Sequence, residues 1–521
     1  FFFKQKTAYE IYQCDWSSDV CSSDLNLDGP AQMSVPHMPV RHQRPGAGET
    51  PAASGETARD GVPSKHVLPH QRHSAIRHRP VTRISPLSRL RAPPWRYGFM
   101  GNPGDACPGP TEGVMLNAIA RWVRRSPGEA FVAALVASEA SRLAWGIYQA
   151  GALTTVHPKR PDPNRTYPSV SLIVPARNEA ANIDTCLAGA VAQDYPDLEI
   201  IFVDDRSTDD TAARIQAVAA TDPRVRLLQG VPLPDGWAGK PWALHQGITA
   251  SRGEWILHID ADTRLQPGAI TAVVDAARDG WSSVDDEPAP EGGFPVFSIM
   301  TGQSLPTWWE KVLQPAVLGA IMEALPLRLV NSPRVPWIAL ANGQFILVRR
   351  DAYDHIGGYA AIRGEIAEDV MFARRAKRMG LRVRLAAGQS LATTRMYRTP
   401  ADLWEGWTKN LHVGSRLMPG LVLPGLAYLA TAVMAPWALL AASSRATTTP
   451  RDATRLRAAA TALLAIAFAH RRGIDRALGV PASYALAQPV GVLATVAMMA
   501  ASQFRVRSGR GVTWKGRRYA G

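Results

Sequence analysis

The sequence predicts an α/β domain built as a Rossmann-like, doubly wound sheet, with C-terminal transmembrane helices behind it. Three observations predict it. Short apolar runs, "SLIV", "EIIFV" and "EWILHI", alternate with helical stretches, as suits strands buried on both faces. Polar clusters, "PARNE", "DDRSTDDT" and "DADTR", fall just after those runs, where doubly wound sheets bind their ligands. From residue 419 onward the chain holds apolar stretches of the length, roughly 20 residues, that crosses a bilayer.

With 521 residues and 46% hydrophobic content the chain can bury a full core. Its net charge of +14 suits nucleic acid, an anionic membrane surface or an anionic substrate. The cationic residues cluster beside apolar runs and do not interleave with aromatics in a soluble stretch, so no nucleic-acid partner is expected. Cys14, Cys21, Cys107 and Cys186 have neither metal-ligand spacing nor the pattern of a disulfide framework.

The leading residues fit no fold pattern. Residues 1–25 lack periodicity, and their end, "DVCSSDL", is what one reading frame of a common sequencing-adapter oligonucleotide encodes, so an assembly artefact is expected there. Residues 26–114 carry Pro, Arg, Gly and half of the histidines without a sustained apolar pattern, and are expected to be a disordered or non-native leader. A metal-binding tract at His66, His70, His73 and His78 is the alternative. Met115 is the expected native start.

Residues 115–167 hold a membrane-associated helix and a linker. The stretch 129–150 is long enough to span, but Glu139 and Arg142 interrupt it, so a span and an interfacial helix both stay open. The Pro-rich "VHPKRPDPNRTYP" then marks a boundary. The α/β domain is expected over 168–415, with an insert at 281–335, and apolar helices with a basic tail over 416–521. Stretches 419–442 and 480–502 are candidate spans, and 458–470 is short for one. Three spans after a cytosolic domain put the basic tail outside, against the positive-inside tendency; a re-entrant 458–470 misplaces the arginines of 445–476 instead.

Asp260 and Asp262 in "HIDADTR" end the strand "EWILHI". Such carboxylates can hold a divalent cation and leave its other positions to phosphate oxygens, though the pair alone is also an ordinary solvated strand end. Asp204 and Asp205 can accept hydrogen bonds from a base and ribose, while "DRSTDD" is equally a good helix cap. His258 reads as a hydrogen-bonded core histidine.

Taken in order, "SLIVPARNE", "VDDRSTDDT", "DGWAGKPWALHQG", "HIDADTR" and "AEDVMFARRAKRMG" resemble glycosyltransferase family two over about 170–415. The resemblance implies the nucleotide-diphospho-sugar transferase fold, a nucleotide-diphosphate sugar donor, inversion at the anomeric carbon, and Mg2+ or Mn2+. By the same resemblance Pro175, Arg177, Asn178 and Glu179 border the nucleotide, and Asp205 or Asp204 reads base and ribose. Lys240 approaches the base or diphosphate, and Asp260 and Asp262 form the metal motif. Asp369, preceded by Glu368, takes the base position that an inverting displacement needs; the pair is also the acidic start that a helix N-terminus favours. "RMYRTPADLWEGWTKNL" and "RGVTWKGRRY" further resemble membrane-associated transferases of carotenoid-acid (4,4'-diaponeurosporenoate-type) and hopanoid glycosylation.

Processive members of the family carry Gln-x-x-Arg-Trp where this chain has "LWEGWTKN", so a single transfer is expected. Trp404 and Trp407 either stack on acceptor or sugar, or sit as interfacial belt residues. A carboxylic acid acceptor would arrive ionised, so a base at Asp369 points to a hydroxyl. The stretch 305–330 suits a helix pair in the headgroup region or, alternatively, a core helix, and the basic clusters near 470 and in the tail would meet anionic lipid. The expectation is a transferase of the bacterial inner membrane with a cytosolic catalytic domain and a carotenoid- or hopanoid-type lipid acceptor. A polyprenyl-phosphate transferase and a non-catalytic sugar-nucleotide-binding membrane protein are the alternatives.

Overall fold

The computed structural model describes residues 126–279, 291–365, 367–417, 420, 422–508, 512–514 and 517–519. The expected adapter segment, the leader with its histidines, Met115 and three of the cysteines lie outside the described residues.

Chain order begins with α1 (Pro127–Gln149). It continues through β1 (Val170–Ala176), α2 (Ile183–Val191), β2 (Leu198–Asp204), α3 (Thr211–Ala219), β3 (Val225–Gln229), α4 (Gly239–Thr249) and β4 (Trp255–Ile259). Next come β5 (Thr263–Leu265), α5 (Ala269–Asp279), β6 (Val296–Met300), β7 (Gly302–Gln303), α6 (Trp308–Ala324), α7 (Leu327–Val330) and β8 (Phe345–Arg349). Then follow α8 (Arg350–Ile356), α9 (Glu368–Arg378), β9 (Val383–Ala387), β10 (Ala392–Thr394), α10 (Pro400–Leu417), α11 (Val422–Ser443), α12 (Pro450–Ala477), α13 (Gln488–Arg507) and the hairpin β11 (Val512–Trp514) and β12 (Arg517–Tyr519).

Seven strands form one mixed sheet in the order β3-β2-β1-β4-β8-β6-β9. β1 is parallel to β2 and β4, so the loops after all three open at one edge. β8 runs antiparallel to both β4 and β6. Its start therefore reaches the edge where β4 ends, and the pairing of Ile259 with Phe345 brings residues 342–344 beside Asp260. β5, β10 and β7 make a small second sheet.

Alternation along the strands fills two faces, because successive side chains point to opposite sides. Leu172, Ile200, Phe202 and Leu257 pack with α2 and α5 residues such as Ile183, Ile270 and Val273. Ile173, Ile201, Val203 and Ile256 pack with Leu244 of α4 and Phe372 of α9. Each such side chain contributes about 1.5–3 kcal/mol by leaving water. α4 lies close on the sheet: a Cβ at Gly247 would stand 2.5 Å from Ile173 Cγ2 and 2.8 Å from Val203 Cγ2. That close approach sets where Lys240, in the first turn of α4, can reach.

Outside the sheet domain, α6, α10 and α13 share a core of Val317, Leu403, Trp407, Leu411 and Met498. The buried Arg471 guanidinium donates to Asp475 at 2.7 Å, to Gln488 at 2.8 Å and to the Lys311 carbonyl at 2.7 Å, tying α12 to α6 and the start of α13. Among the described residues three helices are long and apolar enough to cross a membrane, at Pro127–Gln149, Pro424–Ser443 and Ala482–Arg505. One stands ahead of the sheet domain and two behind it. The stretch 458–470 is the middle of the 28-residue α12, whose arginines set it apart from those three. The expected helix pair at 305–330 is instead one 17-residue helix, opened by a Thr307–Glu310 capping box, and a single turn; Pro326, which has no N–H to donate, separates them.

Gly247→Ala should lower the stability of the purified chain by about 1–3 kcal/mol in a denaturant titration. Gly473→Ala, where a Cβ meets nothing within 4 Å, should be neutral or mildly stabilising.

Candidate active site

The loops after β1 and β2 are knitted together by polar groups. The N–H of Asn178 donates to Ser207 Oγ at 3.0 Å, and the N–H of Thr208 returns to Asn178 Oδ1 at 2.9 Å. Arg177 donates to the carbonyl of Asp205 at 2.7 Å, and Asp204, buried at the strand end, accepts the Ser207 N–H at 3.2 Å. Glu179 accepts from Asn182 at 2.7 Å. Asn178 and Arg206 take positive φ, 52° and 59°. An asparagine tolerates that conformation; a long side chain such as Arg206 holds it only where neighbours over-determine the backbone. Pro175 is half-buried in β1 beside this loop pair.

One strand away, Lys240 draws the remaining acids together. Its ammonium lies 2.6 Å from Asp260 Oδ1 and 2.8 Å from Glu368 Oε1, and donates to the Gly343 carbonyl at 3.1 Å. The Gly343 N–H in turn donates to Asp369 Oδ2 at 2.9 Å, and the Val370 N–H donates to Oδ1 at 2.8 Å. Any side chain at 343 would crowd this point, since a Cβ there stands 3.0 Å from Lys240 Nζ and 3.1 Å from Asp369 Oδ2.

Burial lowers the Lys240 pKa, but Asp260 and Glu368 outweigh it and hold the ammonium charged beyond its usual range. Burial raises Asp260 against the pull of Lys240. Asp369 is pushed up to about 6, first by burial and then by the Glu368 carboxylate, with Lys240 and the two amides pulling back. His258, buried under the cluster, is held neutral by burial and by Lys240, and its Nε2 pairs with Tyr359 Oη at 2.6 Å.

Asp262 is half-buried in the turn between β4 and β5, with its carbonyl taken by the Arg395 N–H at 3.3 Å. Among the described residues no three His, Cys, Asp or Glu side chains form a complete metal cage. Two neighbouring carboxylates still fit a hard cation that keeps most of its positions for substrate phosphates, which is how Mg2+ is commonly bound. Asp260 meets Lys240 through Oδ1 only, so Asp262 and the second Asp260 oxygen are the carboxylate groups that would hold such a cation.

The tryptophans part company. Trp407 is buried in the core of α6, α10 and α13, its indole N–H donating to Gln314 at 2.8 Å and its ring edge-on to Tyr397. Trp404, one turn earlier, is exposed. Gly343 was missed by sequence reasoning. The signal was the polar "ANGQ" ahead of "FILVR", legible only once β8 is known to run antiparallel.

Residues 171–357 match the profile of glycosyl transferase family 2, and residues 304–520 that of glycosyl transferase family 21. Each match spans under half of the chain and the two overlap at 304–357: the sheet domain, a seven-stranded mixed α/β sheet, is similar to glycosyl transferase family 2, and the residues that follow are similar to family 21. Among named proteins it is 27% identical over 277 residues to 4,4'-diaponeurosporenoate glycosyltransferase of Staphylococcus aureus, covering 50% of this chain and 66% of that one, just under two thirds. It is 30% identical over 117 residues to GalNAc(5)-diNAcBac-PP-undecaprenol β-1,3-glucosyltransferase of Campylobacter jejuni, covering 22% of this chain and 37% of that one. A solved mannosyltransferase from Pyrobaculum calidifontis, in complex with GDP-Man and Mn2+, aligns at 19% identity and a TM-score of 0.39, over 72% of this chain and 98% of that one.

If Asp369 works as a base, kcat/KM should rise with pH through a limb near 6 as its carboxyl ionises. Glu368→Gln removes a repelling charge, so the limb should move to lower pH in initial-rate profiles.

Proposed function

We propose that this chain is a membrane-associated, inverting, metal-dependent glycosyltransferase that moves one sugar from a nucleotide-diphosphate donor to a hydroxyl on a carotenoid- or hopanoid-type lipid. Residues 168–415 would be its catalytic domain, on the cytosolic face of a bacterial inner membrane. One observation carries the reading: the Asp369 carboxylate is fixed by two backbone amides at the sheet edge where Asp260 and Lys240 meet, where burial and Glu368 push it up to about 6. An acid so raised is protonated easily enough to accept a proton and still largely ionised near neutral pH.

The donor's nucleotide would lie against the paired loops of Arg177–Glu179 and Asp204–Asp205. β2, which ends at Asp204, and β4, which ends just before Asp260, flank β1, so two strand spacings, about 10 Å, separate these strand ends, a span that suits a nucleotide and its diphosphate. Asp262 and Asp260 would hold Mg2+ or Mn2+, which when bound supplies neutralising charge to the diphosphate. Lys240 adds a fixed positive charge at the same place. The acceptor oxygen attacks the anomeric carbon as the bond to the leaving phosphate oxygen breaks, and its proton passes to Asp369. Glu368, held by Lys240, keeps the helix start in place and raises its neighbour's basicity.

Three apolar helices and the names of the two relatives support a lipid acceptor. The lipid-diphosphate in the second relative's name keeps a polyprenyl-phosphate acceptor as the competing reading.

Asp369→Asn should cut transfer by roughly 10²–10⁴-fold while leaving donor binding intact, measured by radiolabelled sugar appearing in extracted lipid. A chelator should abolish transfer and added Mg2+ or Mn2+ should restore it. Transfer to polyprenyl phosphate with none to an isoprenoid alcohol would replace this reading with the competing one, and donor binding without any transfer would make the chain a sugar-nucleotide-binding protein.

A further inference from the structure

Lys377 lies a little over two turns along α9 from Asp369, about 12 Å at 1.5 Å per residue. It is only 7% exposed, and its ammonium donates to the carbonyls of Val330 at 2.8 Å, Ser332 at 2.8 Å and Ile338 at 2.7 Å. Three protons thus meet three acceptors. Among the described residues no carboxylate neutralises it, and burial alone brings its pKa down to about 8. A buried ammonium is a costly choice for plain packing, because its charge must leave water. What the charge achieves here is geometric: it gathers one short stretch of backbone onto the helix that Asp369 heads.

That stretch is unusual in what it shows to solvent. Leu329 is 43% and Trp337 48% exposed, although Val330, next to the first, and Ala339, two residues past the second, are buried. Five residues past Ile338, Gly343 donates to Asp369, so α9 holds the chain from Val330 to Gly343 at both ends. At its near end the Arg328 guanidinium stacks 4.6 Å over Tyr148 and donates to that residue's carbonyl, joining the segment to the last turn of the apolar helix α1. Leu329 and Trp337 thus stand along the chain that leads from the last turn of α1, past the buried Ala339 and Ala341, to Gly343 at Asp369.

We infer that the segment 329–338 is the wall on which the apolar part of the acceptor docks, with Trp337 as the contact residue and Lys377 as the positioning residue that sets the wall against Asp369. The inference rests on the lipid-acceptor reading above. It is tested with the full chain in phosphatidylglycerol and phosphatidylethanolamine vesicles, using retinol as an isoprenoid alcohol and UDP-glucose, UDP-N-acetylglucosamine and GDP-mannose as donors. Trp337→Ala should raise the KM for retinol about tenfold with the donor KM unchanged, and Trp337→Phe should recover most of the loss. Lys377→Met should raise the retinol KM as well; should that variant fail to fold, Trp337→Ala decides alone. Wild-type transfer with an unchanged retinol KM in Trp337→Ala overturns this inference and leaves the proposed function standing. A lower melting temperature in Lys377→Met with the retinol KM unchanged overturns the role of Lys377. No transfer to retinol by the wild type overturns the lipid-alcohol reading and this inference together.

Discussion

A single ammonium organises the site. Lys240 comes from the first turn of a helix, Asp260 from the end of a strand, Glu368 from the head of another helix, and Gly343 from the approach to an antiparallel strand. Without a cation at their centre the buried Glu368 carboxylate, the half-buried Asp260 carboxylate and a carbonyl would repel one another. Coulomb attraction at under 3 Å in a partly dry cleft is large enough to fix side chains that solvent would otherwise let swing. The raised carboxyl of Asp369 belongs to the same arrangement, pushed up first by burial and then by the Glu368 carboxylate beside it.

The helical layer depends on polar contacts too. Arg471 and Asp475 are fully buried, and an enclosed pair of this kind adds little net stability but penalises every arrangement that separates it. By holding the Lys311 carbonyl and Gln488 at once, the guanidinium fixes α6 and the start of α13 against α12. Arg142 does the same between α1 and α6 through Glu323. The helix ahead of the sheet domain and those behind it are thereby joined to the element that leads into the segment near Asp369.

Much of this was legible in the sequence, and the limits have physical causes. β1, β2 and β4 are continuous apolar runs because helices cover both faces of the sheet, and the acids after them stand out for that reason. The acidic start of α9 was visible from Glu368–Asp369 followed by an amphipathic run. Strand direction was not: nothing local in "FILVR" separates parallel from antiparallel, so the placing of Gly343 could not be foreseen. Nor does "AGKPWA" reveal that its lysine reaches a carbonyl 103 residues away. Trp407 has helical spacing that fits a buried seam as well as a stacking platform, and only the packing of α10 on α6 and α13 separates the two. The turn at Pro326 was readable in principle, since proline ends helices, but the apolar residues on both sides masked it.

Gly343 touches Asp369 through its main chain, and that limits how the site can be rewritten. A codon changes a side chain; it cannot remove an amide, short of proline. Mutation can alter the charge, reach and polarity of everything around this point while the hydrogen bond to the carboxylate persists, provided the residue stays small. Such a scaffold can exchange the side chains around it over generations and keep the Asp369 carboxylate aimed throughout.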